Sequence, residues 1–245
     1  MKAIDHHALY NNAPLYDLMN AKITEQDLPF YMDAINSYGD PILELACGTG
    51  RLTIPIYEKG HDITGIDISE AMVNHGLSKT KTIDLRVGDI RQFKLERKFS
   101  LILLPFNSIC HLHDHESIFS CLESIKAHLK PEGRCIIDVF NPSLEHLTRA
   151  KEMITPIGNY QLNGSQIQIS ETNRYNTAEQ INYIKWQYTI DGVKSMVDLN
   201  MRMFFPQELD NYLKCAGFEI EQKYGNFDRS EFNTHSEKQL LIVKK

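Results

Sequence analysis

A short apolar stretch that runs into two closely spaced glycines constrains this chain more than any other feature: ILELACGTGR at residues 42–51. The apolar run follows Asp40-Pro41 and is typical of a strand buried on both faces, and the glycines come where a helix over about residues 51–59 would begin. Glycine tolerates positive φ and lets the backbone come close to a ligand. The helix would point its free N–H groups and the positive end of its dipole into the same space. The pattern predicts a strand, a tight turn and a helix, with an anionic or hydrogen-bond-accepting ligand on the turn.

The next apolar stretch, HDITGID at residues 61–67, ends in an acid, Asp67. A carboxylate at a strand end can accept hydrogen bonds from both hydroxyls of a ribose. The phosphate-binding P-loop is excluded because no Gly-Lys-Ser/Thr follows the turn, and the dinucleotide fingerprint G-x-G-x-x-G is only half met because Thr53 stands in place of its third glycine. On these residues alone, a nicotinamide nucleotide and S-adenosylmethionine are both candidates.

Four segments together resemble the class I S-adenosylmethionine-dependent methyltransferases. They are ELACGTG at 44–50, GIDISEAM at 65–72, GDI at 88–90 and LKPEG at 129–133, in the order and at the spacing of that family. The resemblance frames residues 41–141 and implies S-adenosylmethionine as cofactor and S-adenosylhomocysteine as product. Alternating strands and helices predict the matching α/β fold, a doubly wound, mostly parallel, seven-stranded Rossmann-like sheet with right-handed crossovers.

The resemblance also implies which residues bind the cofactor. Glu44 would support the turn and the amino acid end of the cofactor, and Asp67 would hold the ribose. Asp89 would accept a hydrogen bond from the adenine amino group. The full predicted set is Tyr16, Glu44, Ala46, Gly48, Gly50, Arg51, Asp67, Ile68, Met72, Asp89, Ile90 and Phe106, with Ile68, Met72 and Ile90 as apolar walls for the adenine ring.

The segment leaving the fourth strand, FNSICHLHDH at residues 106–115, is where a doubly wound sheet would place its chemistry. Three histidines at alternate positions could indicate a metal site, but Asp114 has the features of a helix cap, so we expect no metal and expect His113 and His115 on the surface. His111 differs because it lies in an apolar run near the expected methyl position. A neutral imidazole can receive a proton from an amine near pH 7.

This segment resembles one branch of the family, the enzymes that methylate amino groups of sugars and other small amines. The resemblance rests on the Phe-x-Ser-x-x-His-Leu pattern, an inserted antiparallel piece, and a closing Phe-Phe-x-x-Glu-Leu helix. It implies that His111 and a tyrosine of the leading helix, Tyr10 or Tyr16, face the acceptor amine. We therefore expect His111 and Tyr10 as catalytic residues. Asn107 stands where the branch often has serine, which leaves the acceptor's chemistry open, and is a candidate substrate residue.

Three regions are predicted: residues 1–145 with the leading helices and the cofactor-binding core, an antiparallel β cap over 146–205 on the substrate side, and 206–245 with the last helix and two strands. Residues 3–38 are predicted helical in two segments, the second beginning near Thr24 and Asp27. Alternating apolar and polar residues between the hairpin signals Asn163-Gly164 and Asp191-Gly192 predict the cap. Its candidate substrate residues are Arg174, Arg202, Tyr183 and Trp186, with the arginines suited to a phosphate or carboxylate.

Composition and charge bound the function. A net charge of −6 over 245 residues argues against a general affinity for nucleic acid. No apolar run approaches the ~18 residues of a membrane span, and the first residues lack the apolar core of a signal peptide, so we expect a cytoplasmic protein with no membrane partner. The five cysteines form no C-x-x-C and are expected to be reduced. An exposed sheet edge in the cap would allow a homodimer.

The sequence thus favours a methyltransferase acting on a small-molecule acceptor, with an amine implied by the resemblance. Two other classes stay open: a nicotinamide-dependent oxidoreductase on the same sheet, and a catalytically silent module that retains the cofactor pocket. A methyltransferase for protein or nucleic acid is a further alternative. The Asn/Asp-Pro-Pro-Tyr/Phe segment of many base-methylating enzymes does not occur, since the fourth strand continues as PFNS at residues 105–108.

Overall fold

The computed structural model describes residues 12–148 and 153–245. The described helices are α1 Ala13–Tyr38, α2 Thr53–Glu58, α3 Glu70–Lys79, α4 His115–His128, α5 Leu144–Leu147 and α6 Pro206–Cys215, with a short 3-10 helix at Ser108–His111. The strands are β1 Ile42–Leu45, β2 Ile63–Asp67, β3 Asp84–Val87, β4 Phe99–Leu104, β5 Leu129–Phe140, β6 Thr155–Leu162, β7 Ser165–Asn176, β8 Ile181–Ile190, β9 Val193–Arg202, β10 Glu219–Tyr224 and β11 Lys238–Lys244.

The central sheet has seven strands in the order β10-β11-β5-β4-β1-β2-β3. Strands β1 to β5 pair in parallel, and β11 joins β5 and β10 in antiparallel fashion. All four residues of β1 are buried, which explains the apolar side chains at Ile42, Leu43 and Leu45, because helices cover both faces of such a sheet. The predicted fold class is confirmed. The strand order reverses between β1 and β4, so a cleft opens beyond their carboxyl ends.

Strands β6 to β9 form a separate antiparallel sheet in sequential order, which we call the cap. Asn163 and Gly164, and likewise Asp191 and Gly192, have positive φ between paired strands. Two consecutive residues of positive φ are characteristic of the tight hairpin turns predicted from these dipeptides. In the β8–β9 ladder Trp186 stands opposite Val197, and this register decides which side chains share a face.

The leading segment differs from its prediction, because α1 is one helix of 26 residues rather than two. It begins where the Asn12 side chain accepts a hydrogen bond from the Leu15 N–H, and Pro29 lies inside it. Proline removes one helical hydrogen bond, but Phe30 and Tyr31 beside it are buried in the core, and burying a large apolar side chain contributes about 1.5–3 kcal/mol. No helix in the described part of the chain is long and apolar enough to cross a membrane. Tyr10 lies outside the described residues.

The start of β5 also differs from prediction. The turn expected at residues 130–133 is a wide bulge within the strand, since Phe99 pairs with Leu129 and Leu101 with Arg134. Between these two pairs, β4 has a single residue and β5 has the four residues 130–133. The bulge leaves Arg134 to Phe140, the predicted strand, in regular pairing with β4 and β11.

All five cysteines are free thiols. Four are buried and Cys215 is exposed. Burial raises the pKa of the Cys47 and Cys110 thiols well above the ordinary value, so they stay protonated and unreactive.

Candidate functional site

A cavity of about 710 Å³ lies beyond the carboxyl ends of β1, β2 and β4. The core supplies one side of it, and α1 together with β8 and β9 of the cap supplies the other. It brings together most of the predicted cofactor residues, namely Tyr16, Glu44, Ala46, Gly48, Arg51, Asp67, Ile68, Met72, Asp89, Ile90 and Phe106. His111 and Asn107 line the same cavity.

The end of β2 holds the glycine turn in place. Asp67 is 8% exposed and accepts hydrogen bonds from the Gly48 N–H and the Ser69 N–H, each at 2.8 Å. A Cβ added to Gly48 would lie 3.8 Å from Met72 and 3.9 Å from Tyr16, so glycine keeps the space between these two side chains open. A carboxylate offers about four acceptor positions, so Asp67 can take further donors from a ribose. The turn therefore fits an adenosyl group.

Gly50 does not line the cavity. Its φ is +79°, and a Cβ there would come within 2.9 Å of Ile54 in α2. Glycine is required at this position by the turn and by its packing against α2, rather than by the approach of a ligand. Gly50 is therefore not among the residues that line this cavity, and its cofactor contact stays a prediction.

Glu44 is a buried carboxyl group at the cavity wall. Its side chain accepts a hydrogen bond from the Thr53 hydroxyl, and the residue is 2% exposed. Burial raises the pKa of Glu44 to about 7, although the Thr53 hydrogen bond and the charge of Arg51 act in the opposite direction. Glu44 can thus exist in either protonation state near neutral pH.

Two acids of helix α1 bind side chains of the glycine turn and of α3. Asp27 forms an ion pair with Arg51 at 2.8 Å, with the two side chains 0% and 9% exposed. Asp17 accepts from the Thr49 hydroxyl and pairs with Lys79 of α3 at 2.9 Å. These contacts set the position of the residues between and before them on α1, including the pocket-lining Tyr16.

The predicted adenine residues meet at one end of the cavity. Met72 is buried, and Ile68 lies half exposed at the rim. Arg91 pairs with the Asp89 carboxylate and lowers the pKa of Asp89, so this acid stays ionised. An ionised Asp89 remains an acceptor for an amino group, as the resemblance implies.

The loop after β4 has a conformation that the sequence does not reveal. Phe106 and Asn107 both have positive φ, 55° and 61°, which costs roughly 1–3 kcal/mol each for residues other than glycine. The fully buried Asp138 accepts from the Phe106 N–H at 3.0 Å, and the Asn107 side-chain oxygen accepts from the Phe140 N–H at 2.6 Å. These bonds to β5 hold the loop so that the following 3-10 helix turns His111 into the cavity. Asn107 keeps only its side-chain NH₂ group for a ligand.

His113 and His115 were expected on the surface; His115 is exposed, His113 is half-buried, and both make specific contacts. The half-buried His113 ring donates from Nε2 to the Asn200 carbonyl of β9 at 2.8 Å. The ring of His115 bonds to the Tyr212 hydroxyl of α6. The two histidines therefore attach the loop to the cap and to the closing helix. No group of three potential metal ligands occurs among residues 12–148 and 153–245.

The cap contributes an apolar wall that sequence reasoning recognised only at Trp186. Its indole N–H donates to Glu171 at 3.0 Å, which fixes the ring. The other members were missed, although the alternation of apolar residues along the two strands was a signal for them. They are Tyr188 and Ile190 of β8, and Val197, Leu199 and Met201 of β9.

The cap arginines do not reach the cavity. The Arg174 guanidinium lies 4.9 Å from the ring centre of Tyr183, and these two residues pair across β7 and β8 on the face opposite to Trp186. Arg202 is 5% exposed, forms an ion pair with Glu208 at 2.7 Å and donates to the His113 carbonyl. The predicted substrate roles of Arg174, Tyr183 and Arg202 are therefore corrected, and Arg202 joins β9 to α6 instead.

Comparison with known proteins gives a consistent set of relatives. Residues 42–133 match a family model described as a methyltransferase domain. A dTDP-3-amino-3,4,6-trideoxy-alpha-D-glucopyranose N,N-dimethyltransferase of Streptomyces venezuelae is 28% identical over 141 residues. That match covers 56% of this chain and 58% of the relative, so it spans little more than half of either protein.

Two solved structures share the fold at low sequence identity. An S-adenosylmethionine-dependent methyltransferase from Clostridium acetobutylicum superposes with a TM-score of 0.79 at 21% identity, covering 95% of this chain and 96% of that one. The sugar N-methyltransferase KedS8 from Streptoalloteichus superposes with a TM-score of 0.76 at 17% identity, covering 95% and 92%. Both likenesses extend over the central sheet and the cap.

Proposed function

We propose that this chain is a class I S-adenosylmethionine-dependent methyltransferase and that it methylates the amino nitrogen of a small molecule. The observation that carries the proposal is a single cavity that joins the Gly48–Asp67 turn, the His111 ring and the cap wall. A cofactor site and an acceptor site are thereby continuous, as methyl transfer requires. The amine is favoured because the Streptomyces venezuelae relative is an N,N-dimethyltransferase and KedS8 is a sugar N-methyltransferase.

The residues at the turn fit S-adenosylmethionine. Asp67 would hold the ribose hydroxyls, Asp89 the adenine amino group, and Met72 and Ile90 the faces of the ring. When bound, the cofactor would supply a methyl group activated by its positively charged sulfur; the amine lone pair would form the new N–C bond, and the bonding pair of the broken S–C bond would stay with S-adenosylhomocysteine. The cavity walls hold the amine in line, and such positioning is a large part of catalysis for a displacement of this kind.

His111 is the proposed proton acceptor. An amine must lose one proton before or during attack, and a cavity-lining imidazole can receive it near neutral pH. The 3-10 helix that carries His111 contacts both β5 and β9, so an amine bound beside the cap wall would lie within reach of the ring. Tyr16 would orient the acceptor or cover the cofactor from α1, and residues 146–205 would act as the substrate cap.

The test is methyl transfer by purified protein with a panel of small amines, read out as S-adenosylhomocysteine formation. We expect turnover with amines and none with the corresponding alcohols. The variant His111→Asn should lower kcat about 100-fold or more, the usual contribution of a general base, while the Kd for S-adenosylmethionine stays within about twofold. His235→Asn, at an exposed position, is the matched control.

Two results would contradict the proposal. Cofactor binding without any methyl release across the panel would leave a silent binding module. Full turnover by the His111→Asn protein would remove the assigned base and leave the cavity residues only a positioning role.

A further inference from the structure

We propose that the acceptor is an amine carried on an apolar or aromatic body that bears no phosphate. This inference rests on the proposed methyl transfer and narrows its acceptor class. It separates this chain from a relative whose name specifies a dTDP-linked amino sugar.

The first argument is the chemistry of the cap face that meets the cavity. Side chains of β8 and β9 alternate between two faces, and the register places Trp186, Tyr188, Val197 and Leu199 on the same face. On that face these two strands carry only uncharged side chains, from Asn182 to Ile190 and from Val193 to Met201 at every second residue. Leu15 and Met19 of α1 extend the apolar surface. Aromatic and aliphatic walls of this kind recognise an apolar body by area and ring contact.

The polar face of the same two strands points away from the cavity. Lys185, Lys194 and Asp198 occupy the alternate positions, and none of them lines the cavity. A one-residue change of register would exchange the two faces. The sheet therefore directs its cations outward and its apolar side chains at the acceptor.

The second argument is the charge of the cavity wall. Among the described residues, its cationic side chains are Arg51 and Arg91, and each is already paired with an acid, Asp27 and Asp89 respectively. Four acids line the wall: Glu44, Asp67, Asp89 and Asp114. Diphosphate binding normally uses bidentate arginines or lysines, which carboxylates would oppose. Three of these acids lie at the proposed cofactor site, and Asp114 caps α4. Among the described residues, the wall therefore offers a diphosphate no arginine or lysine without an acid partner.

The third argument concerns hydrogen bonds. A sugar needs several partners for its hydroxyl groups, and buried polar groups left without partners cost roughly 1–3 kcal/mol each. The cavity-lining cap residues offer the Tyr188 and Ser195 hydroxyls, because the Trp186 N–H is already donated to Glu171. Other polar lining residues, such as Asn107 and Ser108 in the segment after β4, belong to other elements. A body placed against the cap itself therefore meets few hydrogen-bond partners, and an apolar body needs none.

The experiment uses the full chain saturated with S-adenosylhomocysteine, so that binding is measured apart from catalysis. Calorimetric titration with 2-phenylethylamine should show binding, and titration with thymidine diphosphate should show at least tenfold weaker binding. With S-adenosylmethionine present, kcat/KM for 2-phenylethylamine should exceed that for a thymidine-diphosphate-linked amino sugar by at least tenfold.

Two neighbouring substitutions on β9 test the cap face itself. Val197→Lys places a cation on the cavity side, whereas Met196→Lys places the same charge on the opposite, exposed side, where Met196 is 68% exposed. We expect Val197→Lys to weaken 2-phenylethylamine binding at least tenfold and Met196→Lys to change it less than twofold. Unchanged affinity for S-adenosylmethionine shows that both variants are folded.

The possible failures are distinguishable. Tighter binding of thymidine diphosphate, preferred turnover of the linked amino sugar, or equal effects of the two lysine variants would overturn the inference while leaving methyl transfer intact. Absence of 2-phenylethylamine binding would also overturn it. If the amine binds as expected and no acceptor is methylated, the inference on the ligand body stands and the proposed function fails.

Discussion

At the scale of single residues, Asp67 links the backbone of the turn to the cofactor site. Both of its oxygens accept backbone N–H groups, from Gly48 and from Ser69, at the wall of the cavity. These two bonds fix the orientation of the Asp67 carboxylate at the cavity wall. Its charge and its geometry are both needed for this task.

Asp67→Asn should weaken cofactor binding about 10- to 100-fold. The amide keeps the size of the side chain but replaces one acceptor oxygen with an NH₂ group that opposes a backbone N–H, and hydrogen bonds to charged groups are worth about 1.5–3 kcal/mol. Calorimetric titration with S-adenosylmethionine measures the effect. Asp84→Asn, in a surface pair with Arg86 on β3, is the control and should leave the Kd unchanged. Equal affinities for wild type and Asp67→Asn would refute the ribose role.

Glu44 should make the stability of the free protein depend on pH. Its pKa rises from 4.5 to about 7 on folding because it is buried, so between these pH values the native state holds a proton that the unfolded state has lost. The contribution of Glu44 to stability is thus complete below pH 4.5 and is lost as the pH rises through 7, by about 3 kcal/mol in all. Glu44→Gln should remove this decrease in stability at high pH. Urea unfolding at pH 5 and pH 8 would show it, and identical pH dependence in both proteins would contradict it.

Sequence predicted the residues of the cofactor site best where the signal was local. Asp67 follows the glycine turn at the end of the next strand, and parallel strands bring such ends together, so its position could be inferred from spacing. Asp138 could not be found in this way, because its role depends on the left-handed backbone at Phe106, some thirty residues earlier. Sequence could not separate the roles of Gly48 and Gly50, since a turn glycine and a ligand-facing glycine have the same sequence signature.

At the scale of elements, helix α1 contributes both to the stability of the fold and to the candidate site. The buried pair of Asp27 and Arg51 connects the helix to the turn, and the guanidinium lies 4.9 Å from the ring centre of Phe106. The same helix carries Tyr16 at the cavity wall. Loss of the pair would therefore affect both folding and the site.

Asp27→Ala should destabilise the protein by about 3–5 kcal/mol, because it leaves the Arg51 charge buried without its partner. The free energy of unfolding in urea is the measurement. Asp33→Ala on the same helix breaks an exposed pair with Arg229 and should cost less than about 1 kcal/mol. Similar losses of unfolding free energy for both variants would show that the buried pair stabilises the protein no more than the exposed pair does.

The prediction of two helices where the structure has only α1 shows that sequence does not reveal how local helix signals compare in strength with tertiary contacts. Thr24 and Asp27 have the pattern of a helix start, and Pro29 disfavours a helix interior. Both signals are local. The structure follows the tertiary contacts instead, because Asp27 is needed for Arg51 and the residues after Pro29 are buried in the core.

At the scale of the whole molecule, cofactor binding should stabilise the fold that contains the site. With S-adenosylmethionine at 100 times its Kd, the stabilisation is about 2.7 kcal/mol, which corresponds to a rise in Tm of about 5–10 °C for a chain of this length. NADH at the same concentration should shift the Tm by less than about 1 °C. Thermal unfolding followed by circular dichroism distinguishes the two, and a shift with NADH alone would favour the oxidoreductase alternative.

The overall architecture was predictable because it depends on periodicity over long stretches. Continuous apolar strands alternating with helices indicate a parallel sheet, and the Asn163-Gly164 and Asp191-Gly192 turns indicate the antiparallel cap. What the cap presents to the cavity was not predictable, since Arg174 and Trp186 can be assigned to opposite faces only once the register is known. The cationic substrate contacts expected from sequence are replaced by an apolar wall.

The cap residues that meet the cavity all lie between Trp186 and Met201, whereas the turn and its supporting acids lie between Glu44 and Asp89. Substitutions can therefore change the cap side of the cavity and the glycine-turn side of the cavity independently. A few substitutions in one hairpin would redirect the protein to a different acceptor while its use of the methyl donor stays as it was. Among proteins that share this arrangement but differ in their acceptor, we expect sequence differences to concentrate in β8 and β9.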